Sequence, residues 1–206
     1  TVETTGNDRP IYINGASGFT LHNYGNIEAE RSVSISMGSG TTGAIINNYS
    51  SGKIFAPQNG IINSASVSND NTINNYGEIY STTTSSGYNV IAFMDGASGN
   101  NIINNNGGNI YVSGEDGVAI KLGSSSTLTN IGTISNTYNP ESTAIKLAGD
   151  NNTIELKDGG KVIGLIVSDS GTSGNKLKLN HGLGKTYYYE TSGDFDLEDL
   201  SGNQVL

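Results

Sequence analysis

Carboxylates that could catalyse hydrolysis are spread over the middle of this chain. Enzymes that hydrolyse polysaccharides use paired carboxylates, and an inverting pair stands about 6.5–9.5 Å apart. Asp95 and Asp150 follow similar apolar runs, NVIAF and TAIKL. These runs lie two repeats apart, which places the two backbones roughly 10 Å apart if each repeat forms one turn of a coil. Aspartate is also a good turn residue, so a structural role is the alternative interpretation. The full set of candidates is Asp95, Glu115, Asp116, Asp150 and Asp158.

Other catalytic and metal-binding patterns are weak. The two histidines, His22 and His181, lie far apart in the sequence. The string GASG begins at Gly15 and again at Gly96, but neither copy has the context of a serine nucleophile, so both are interpreted as turns. The acidic segment Asp194–Asp199 matches neither an EF-hand loop nor a glycine-rich calcium repeat. We therefore predict no catalytic residue, no metal site and no cofactor, and expect a protein that is not an enzyme.

Composition and charge argue against several classes of partner. The 206 residues carry a formal net charge of −9, and the 10 Lys and Arg residues are dispersed. Nucleic acids and anionic membrane surfaces attract basic proteins, so neither is an expected partner. No apolar stretch approaches the roughly 20 residues that a membrane helix needs. Cysteine is absent, which excludes disulfides and thiolate chemistry.

A short phrase recurs along the chain. It reads FTLHNYGNI from Phe19, NTINNYGEI from Asn71 and NIINNNGGNI from Asn101, with weaker copies further on. Alignment of the copies gives a first apolar column that contains Leu21, Ile46, Ile73, Ile103, Leu128 and Ile154. A second apolar column, which follows a glycine, contains Ile27, Ile54, Ile79, Ile110, Ile134 and Val162. A third apolar run precedes each phrase, and in the third repeat it is expected in SASV from Ser64.

Three short apolar runs in each repeat, separated by Gly and Asn turns, predict an all-β parallel β-helix of about six to seven three-strand rungs. A β-sandwich and a β-propeller are the alternatives, because both also use many short strands. The rungs are expected over residues 1–185. Residues 186–206 depart from the pattern and are expected to form a C-terminal cap or to begin a following region.

Polar and aromatic residues recur beside the turn of each phrase. Stacked amide side chains can donate and accept hydrogen bonds from rung to rung, which satisfies polar groups at a bend. The predicted amide ladder contains Asn23, Asn48, Asn75, Asn105 and Asn130. Gly25, Gly77 and Gly132 are expected to supply permissive backbone there, and Tyr24, Tyr49 and Tyr76 are expected to stack in the same way.

Two alternating strings in this repeat resemble a known family. The form T-I-x-N-x-G-x-I alternates with A-I-x-L and a G-S-S or G-D-N turn, within Asn71–Ile79, Gly117–Ile134 and Ala144–Ile154. This pattern resembles the passenger domains of bacterial autotransporters. The resemblance implies a right-handed coil, export to the cell surface or release, and an outer-membrane translocator barrel in the full-length precursor. It also implies a virulence-related role, although similar coils occur in polysaccharide-degrading enzymes.

Variable loops after the third strand of each rung form the predicted binding surface. Loops at equivalent corners of a coil lie along one edge, and function in repeat proteins often lies on such an edge. Exposed aromatic rings there suit recognition of proteins or glycans, although they could instead cover the ends of the core. The predicted binding residues are Phe55, Tyr80, Tyr88, Glu115, Asp116 and Tyr138.

The expected function is that of an adhesin or effector whose partner is a host cell-surface protein or glycan. The resemblance permits a sharper version, in which the released passenger activates a host receptor as a growth factor does. The alternatives are a polysaccharide-cleaving enzyme that uses the carboxylates, and a passive stalk or self-associating module.

Overall fold

The computed structural model describes residues 2–4, 9–63, 68–82, 88–94, 96–183 and 187–201. These residues form a right-handed parallel β-helix of about seven turns, as the sequence predicted. Each turn, here called a rung, contributes one strand to each of three parallel sheets. Within the described ranges, no helix is long and apolar enough to cross a membrane.

Neighbouring strands in each sheet come from successive rungs. Sheet A contains β1 (Val2–Thr4), β4 (Asn26–Ala29), β7 (Lys53–Ala56), β10 (Glu78–Ser81), β13 (Asn109–Val112), β16 (Thr133–Asn136) and β19 (Lys161–Ile163). Sheet B contains β2 (Ile11–Ile13), β5 (Val33–Met37), β8 (Asn59–Asn63), β11 (Asn89–Phe93), β14 (Val118–Leu122), β17 (Thr143–Leu147), β20 (Leu165–Ser168) and β22 (Thr191–Ser192). Sheet C contains β3 (Thr20–Asn23), β6 (Ile45–Asn48), β9 (Thr72–Asn75), β12 (Asn101–Asn104), β15 (Thr127–Asn130), β18 (Thr153–Lys157), β21 (Lys176–Asn180) and β23 (Asp196–Asp199).

Identical apolar residues stack on one another inside the coil. In sheet A the register places Ile54 beside Ile79, Ile79 beside Ile110 and Ile110 beside Ile134, and none of these side chains is exposed. Because side chains alternate between the two faces of a strand, one buried residue in two is enough to fill the narrow core. The second apolar column predicted from the sequence is therefore confirmed.

The phrase NIINNNGGNI is one residue out of register with the predicted columns. Ile102 pairs with Ile73 and Leu128 in the core column, whereas Ile103 faces outward and is half-buried. The prediction was therefore wrong at Ile103. The string offers two adjacent isoleucines and three adjacent asparagines, and a shift of one residue moves every side chain to the other face of the strand.

The strand of sheet B in the third rung is β8, not the predicted run from Ser64. Residues 64–67 lie outside the described residues. Ile61 of β8 pairs with Ile35 and Ile91, and it is fully buried. Gly60 gives this strand a weak sequence signal, because glycine is depleted in strands. The space beside it is tight, since a Cβ at this position would stand 3.1 Å from the carbonyl oxygen of Val90.

At the corner between sheets B and C, one residue in each successive rung adopts the left-handed backbone conformation with positive φ. Glycine adopts this conformation without a steric penalty, whereas other residues pay for it. The column consists of Gly18, Gly43, Asp70, Gly99, Ser125, Asn151 and Gly174, with φ values between 51° and 68°. A regular change of direction is thus built into the chain at the same corner of each rung.

The glycines beside the amide ladder serve close packing rather than backbone freedom. Gly77 and Gly132 do not have positive φ values, which contradicts the expectation that they supply permissive backbone. A Cβ on Gly132 would stand 2.2 Å from the carbonyl oxygen of Gly108, and one on Gly77 would stand 2.2 Å from that of Gly52. The rungs approach so closely at this corner that only glycine fits.

The C-terminal tail continues the coil by part of a rung. β22 pairs in parallel with β20, and β23 pairs in parallel with β21. Tyr189 and Phe195 pack against the end of the core. The predicted boundary between residues 185 and 186 falls outside the described residues, so the division into rungs and cap stays a prediction.

Candidate functional site

A buried amide ladder fixes the corner between sheets C and A. Each asparagine donates a hydrogen bond through Nδ2 to Oδ1 of the asparagine in the next rung. The distance is 2.7 Å from Asn23 to Asn48 and 2.8 Å from Asn48 to Asn75. It is 2.9 Å from Asn75 to Asn104 and 2.9 Å from Asn104 to Asn130. Asn104, not the predicted Asn105, is therefore the fourth member. The amide of Asn105 instead donates to the carbonyl of Ile103, because the one-residue shift in this rung takes it out of the column.

A second set of buried asparagines, which sequence analysis missed, lies at the corner between sheets B and C. Their Oδ1 atoms accept backbone N–H groups of the preceding rung at distances of 2.9–3.0 Å. The acceptors are Asn71, Asn100, Asn152 and Asn175, and each is at most 2% exposed. Each stands two residues before an inward Ile or Leu, and this spacing could have revealed them.

A stack of three aromatic rings runs along the outer face of sheet A. Phe55, Tyr80 and Tyr111 occupy equivalent positions in β7, β10 and β13, with ring centroids 4.8 Å and 5.0 Å apart. All three side chains are half-buried. Burial and the Glu78 carboxylate raise the pKa of the Tyr111 phenol. Phe55 and Tyr80 were predicted to lie in loops, but they lie on strands. Sequence analysis missed Tyr111, because its place in this stack depends on the register between β10 and β13.

A second aromatic stack follows the amide ladder. Tyr24, Tyr49 and Tyr76 stack as the sequence predicted, with centroids 4.2 Å and 6.3 Å apart and planes within 10° of parallel. His22 stacks on Tyr49 at 5.8 Å, and its Nδ1 lies 3.0 Å from the Tyr49 hydroxyl. A hydrogen bond with Tyr24 raises the pKa of Tyr49. Tyr24 and Tyr76 are 62% and 42% exposed, so this stack is open to solvent.

A polar column separates the two aromatic stacks. Lys53 and Glu78 are paired across β7 and β10, and their charged groups are 2.9 Å apart. The hydrogen bond to Glu78 raises the pKa of Lys53. Tyr76 lies in the turn before β10 and only four residues before Tyr80, so the two residues are at most roughly 13 Å apart along the chain. We call the two stacks and this column the aromatic face.

The other predicted binding residues lie elsewhere. Glu115, Asp116 and Tyr138 are exposed residues in loops between sheets A and B. Tyr88 is half-buried and lies directly before β11. None of the four belongs to either aromatic stack. The single loop edge of the sequence-based prediction is thus divided between strand residues on the aromatic face and loop residues at the next corner.

The predicted carboxylates do not form a described pair. Asp95 lies outside the described residues. Asp150 holds a turn, because its Oδ1 accepts the backbone N–H of Ser173 at 2.7 Å. Among the residues that the structure describes, no group of three or more His, Cys, Asp and Glu residues is arranged to hold a metal ion. The expectations of no metal and no enzyme activity stay predictions.

A third aromatic cluster lies near the C-terminal end of the coil. His181 stacks on Tyr187 with a centroid distance of 3.7 Å. Its Nδ1 accepts the backbone N–H of Gly159 at 3.3 Å, so Nε2 carries the proton and donates to the Tyr189 hydroxyl at 2.8 Å. That hydroxyl donates to the carbonyl of Gly160 at 3.0 Å. Burial lowers the pKa of His181 and raises that of Tyr189 to about 12, so both groups are held neutral.

Comparison with known proteins does not assign this chain to a family. No protein-family model, no curated protein and no solved structure matches it.

Proposed function

We propose that this chain is the passenger domain of a bacterial autotransporter, displayed or secreted, that binds a host cell-surface protein without covalent chemistry. The repeat strings that resemble autotransporter passengers support the assignment to that class. The arrangement that carries the binding proposal is the aromatic face, where two ring stacks run side by side on a rigid coil. Tyrosine is enriched in protein interfaces, because it combines a large contact area with a polar tip and few rotatable bonds.

The orientation of the rings favours a protein over a glycan as the partner. In both stacks the ring faces are turned toward each other along the coil. Sugars bind aromatic residues mainly through an open ring face, and the middle rings, Tyr49 and Tyr80, have a neighbour on both sides. Tyr24 and Tyr76, at the two ends of their stack, are exposed and offer their ring edges and hydroxyl groups to a partner. Edges and hydroxyls suit the mixed apolar and hydrogen-bonding surface of a protein.

The proposal is tested by the binding of the labelled chain to cultured mammalian cells across a concentration series. A variant that carries Tyr80→Ala and Tyr111→Ala should lose most saturable binding while its far-ultraviolet circular dichroism is unchanged. Tyr138→Ala is the matched control, because Tyr138 is 55% exposed but lies outside the aromatic face. Equal loss in the control and the variant would contradict the assignment of the site.

Treatment of the cells distinguishes the two classes of partner. Mild proteolysis of the cell surface should abolish binding, and enzymatic removal of surface glycans should leave it intact. Loss of binding after glycan removal alone would overturn the choice of a protein partner.

A further inference from the structure

The C-terminal end of the coil leaves part of the core column uncovered. Leu197 pairs with Leu177, and it continues the stack of apolar residues inside sheet C. Leu177 is 2% exposed, whereas Leu197 is 53% exposed and the nearby Leu200 is 44% exposed. β23 is the last strand of its sheet, so its outer edge has no strand beside it among the described residues. An edge of this kind can accept a further strand.

The side chains of β23 restrict which strand can dock there. Asp196 and Glu198 lie beside Lys176 and Lys178 of the preceding strand, and the carboxylate of Glu198 is 3.2 Å from the amine of Lys178. The incoming strand must therefore carry an apolar residue over Leu197 and neutral or donor residues over the two acids. An acidic strand would be repelled, which protects the edge from indiscriminate pairing.

A buried carboxylate oxygen at this end lacks a hydrogen-bond donor. Asp199 lies in the column that contains Asn130 and Leu179 in earlier rungs. Its Oδ1 accepts the backbone N–H of Ser201 at 2.8 Å. Its Oδ2 is the one buried side-chain polar atom without a partner in the described part of the chain. A donor supplied by a further rung would satisfy it.

The first strand of sheet C meets the first two of these requirements, the apolar residue and the neutral or donor residues. β3 has the sequence TLHN, and it is the edge strand at the N-terminal end of the sheet. If β3 of a second copy continues the one-to-one register of sheet C, Leu21 covers Leu197 and Thr20 faces Asp196. His22 then faces Glu198, and because its Nδ1 faces the Tyr49 hydroxyl, Nε2 can act as the donor. In the same register Asn23 lies over Asp199, but its Nδ2 donates to Oδ1 of Asn48 and to the carbonyl of Lys53, so Asn23 does not supply the donor for Asp199.

We propose that copies of this chain associate head to tail, with β3 of one copy pairing in parallel with β23 of the next. The same step brings β2 onto β22 in sheet B, so two sheets continue across the junction. The two contacting surfaces differ, and such a heterologous contact extends into filaments rather than closing into a dimer. This inference is independent of the binding role of the aromatic face.

A cysteine pair tests the register directly, because the native chain contains no cysteine. Thr20→Cys and Asp196→Cys in one chain should form intermolecular disulfides on oxidation, seen as a ladder of covalent multimers on a non-reducing gel. Neighbouring strands lie about 4.8 Å apart, within the span of a disulfide. Thr20→Cys with Glu198→Cys is the control, because a shift of two residues adds roughly 7 Å and should prevent bridging. Equal ladders from both pairs, or a ladder from the control alone, would overturn the register.

Sedimentation velocity over a concentration series tests the association itself. The native chain should sediment faster as its concentration rises, and Leu197→Lys should remain monomeric. Ile45→Lys is the matched control, because Ile45 is 38% exposed on the outer face of sheet C. A mixture of His22→Glu and Leu197→Lys chains should form dimers and nothing larger, since each variant retains one intact end. A native chain that stays monomeric throughout, or a dimer that survives Leu197→Lys, would overturn the proposal.

Discussion

The amide ladder gives the sharpest stability prediction, because removal of an inner asparagine leaves a buried amide oxygen without a donor, whereas removal of the last asparagine does not. Asn75 accepts from Asn48 and donates to Oδ1 of Asn104. In Asn75→Ala, Nδ2 of Asn48 keeps two carbonyl acceptors, but Oδ1 of Asn104 loses its donor within the buried ladder. The side chain of Asn75 makes four hydrogen bonds, because it also donates to the carbonyls of Gly77 and Asn109. Four lost bonds at about 1 kcal/mol each, with about 1–3 kcal/mol for the orphaned oxygen, give a loss of roughly 5–7 kcal/mol.

Asn130→Ala is the matched control, because the ladder ends there. The next residue in the column is Leu156, so no amide oxygen is orphaned. Nδ2 of Asn104 still donates to the carbonyls of Gly108 and Thr133. The two lost bonds predict a cost of about 2 kcal/mol.

The assay is equilibrium unfolding in urea, followed by far-ultraviolet circular dichroism, with midpoints and slopes compared between the two variants. Matching slopes are needed for the comparison, because long repeat arrays can unfold in more than one step. If Asn130→Ala costs as much free energy of unfolding as Asn75→Ala, the ladder does not stabilise the coil through paired amides, and the reasoning is refuted.

Three further predictions concern other positions. Gly132→Ala should lower the thermal midpoint far more than Gly107→Ala. A Cβ at position 107 meets nothing within 4 Å, so Gly107→Ala costs only about 1 kcal/mol of stability for placing alanine at a φ of 84°. Similar losses in the two variants would contradict the close-packing argument. Ser125→Gly should raise the free energy of unfolding by about 0.5–1 kcal/mol, since Ser125 has a φ of 51°; a loss would contradict it. Burial lowers the pKa of His181, so its stabilising contribution is complete above the unfolded value of 6.5 and is lost as the pH falls through the lower folded pKa. The thermal midpoint of the native chain should therefore fall more between about pH 7.5 and pH 5 than that of His181→Gln, and parallel curves would show that the cluster does not hold this residue neutral.

The repeat made the coil predictable, because the same inward residue recurs whenever the chain returns to the same sheet. Ile54, Ile79 and Ile110 follow a glycine at a fixed spacing, so their shared column was visible in the sequence. The column failed at Ile103, where two adjacent isoleucines fit the pattern equally well. Packing selects Ile102, since the inward position in this rung is fixed by the strands on both sides.

The aromatic face was only partly predictable. Tyr24, Tyr49 and Tyr76 share one motif position, and their stacking followed from the alignment. Phe55 and Tyr80 were attributed to loops, because apolar residues beyond the buried column resemble an insertion. Their stacking with one another depends on the outward positions of neighbouring strands, and that register is set by the whole coil. The uncovered end at Leu197 likewise follows from the order of strands in sheet C.

The most direct test of the account is the cell-binding isotherm of Tyr80→Ala beside that of the native chain. Tyr80 is the middle ring of its stack, so its removal disrupts the contacts to both Phe55 and Tyr111. If the aromatic face is the binding surface, the dissociation constant should rise at least about tenfold, as expected for a residue worth more than 1.4 kcal/mol in an interface. An unchanged isotherm from a correctly folded variant would contradict the central claim.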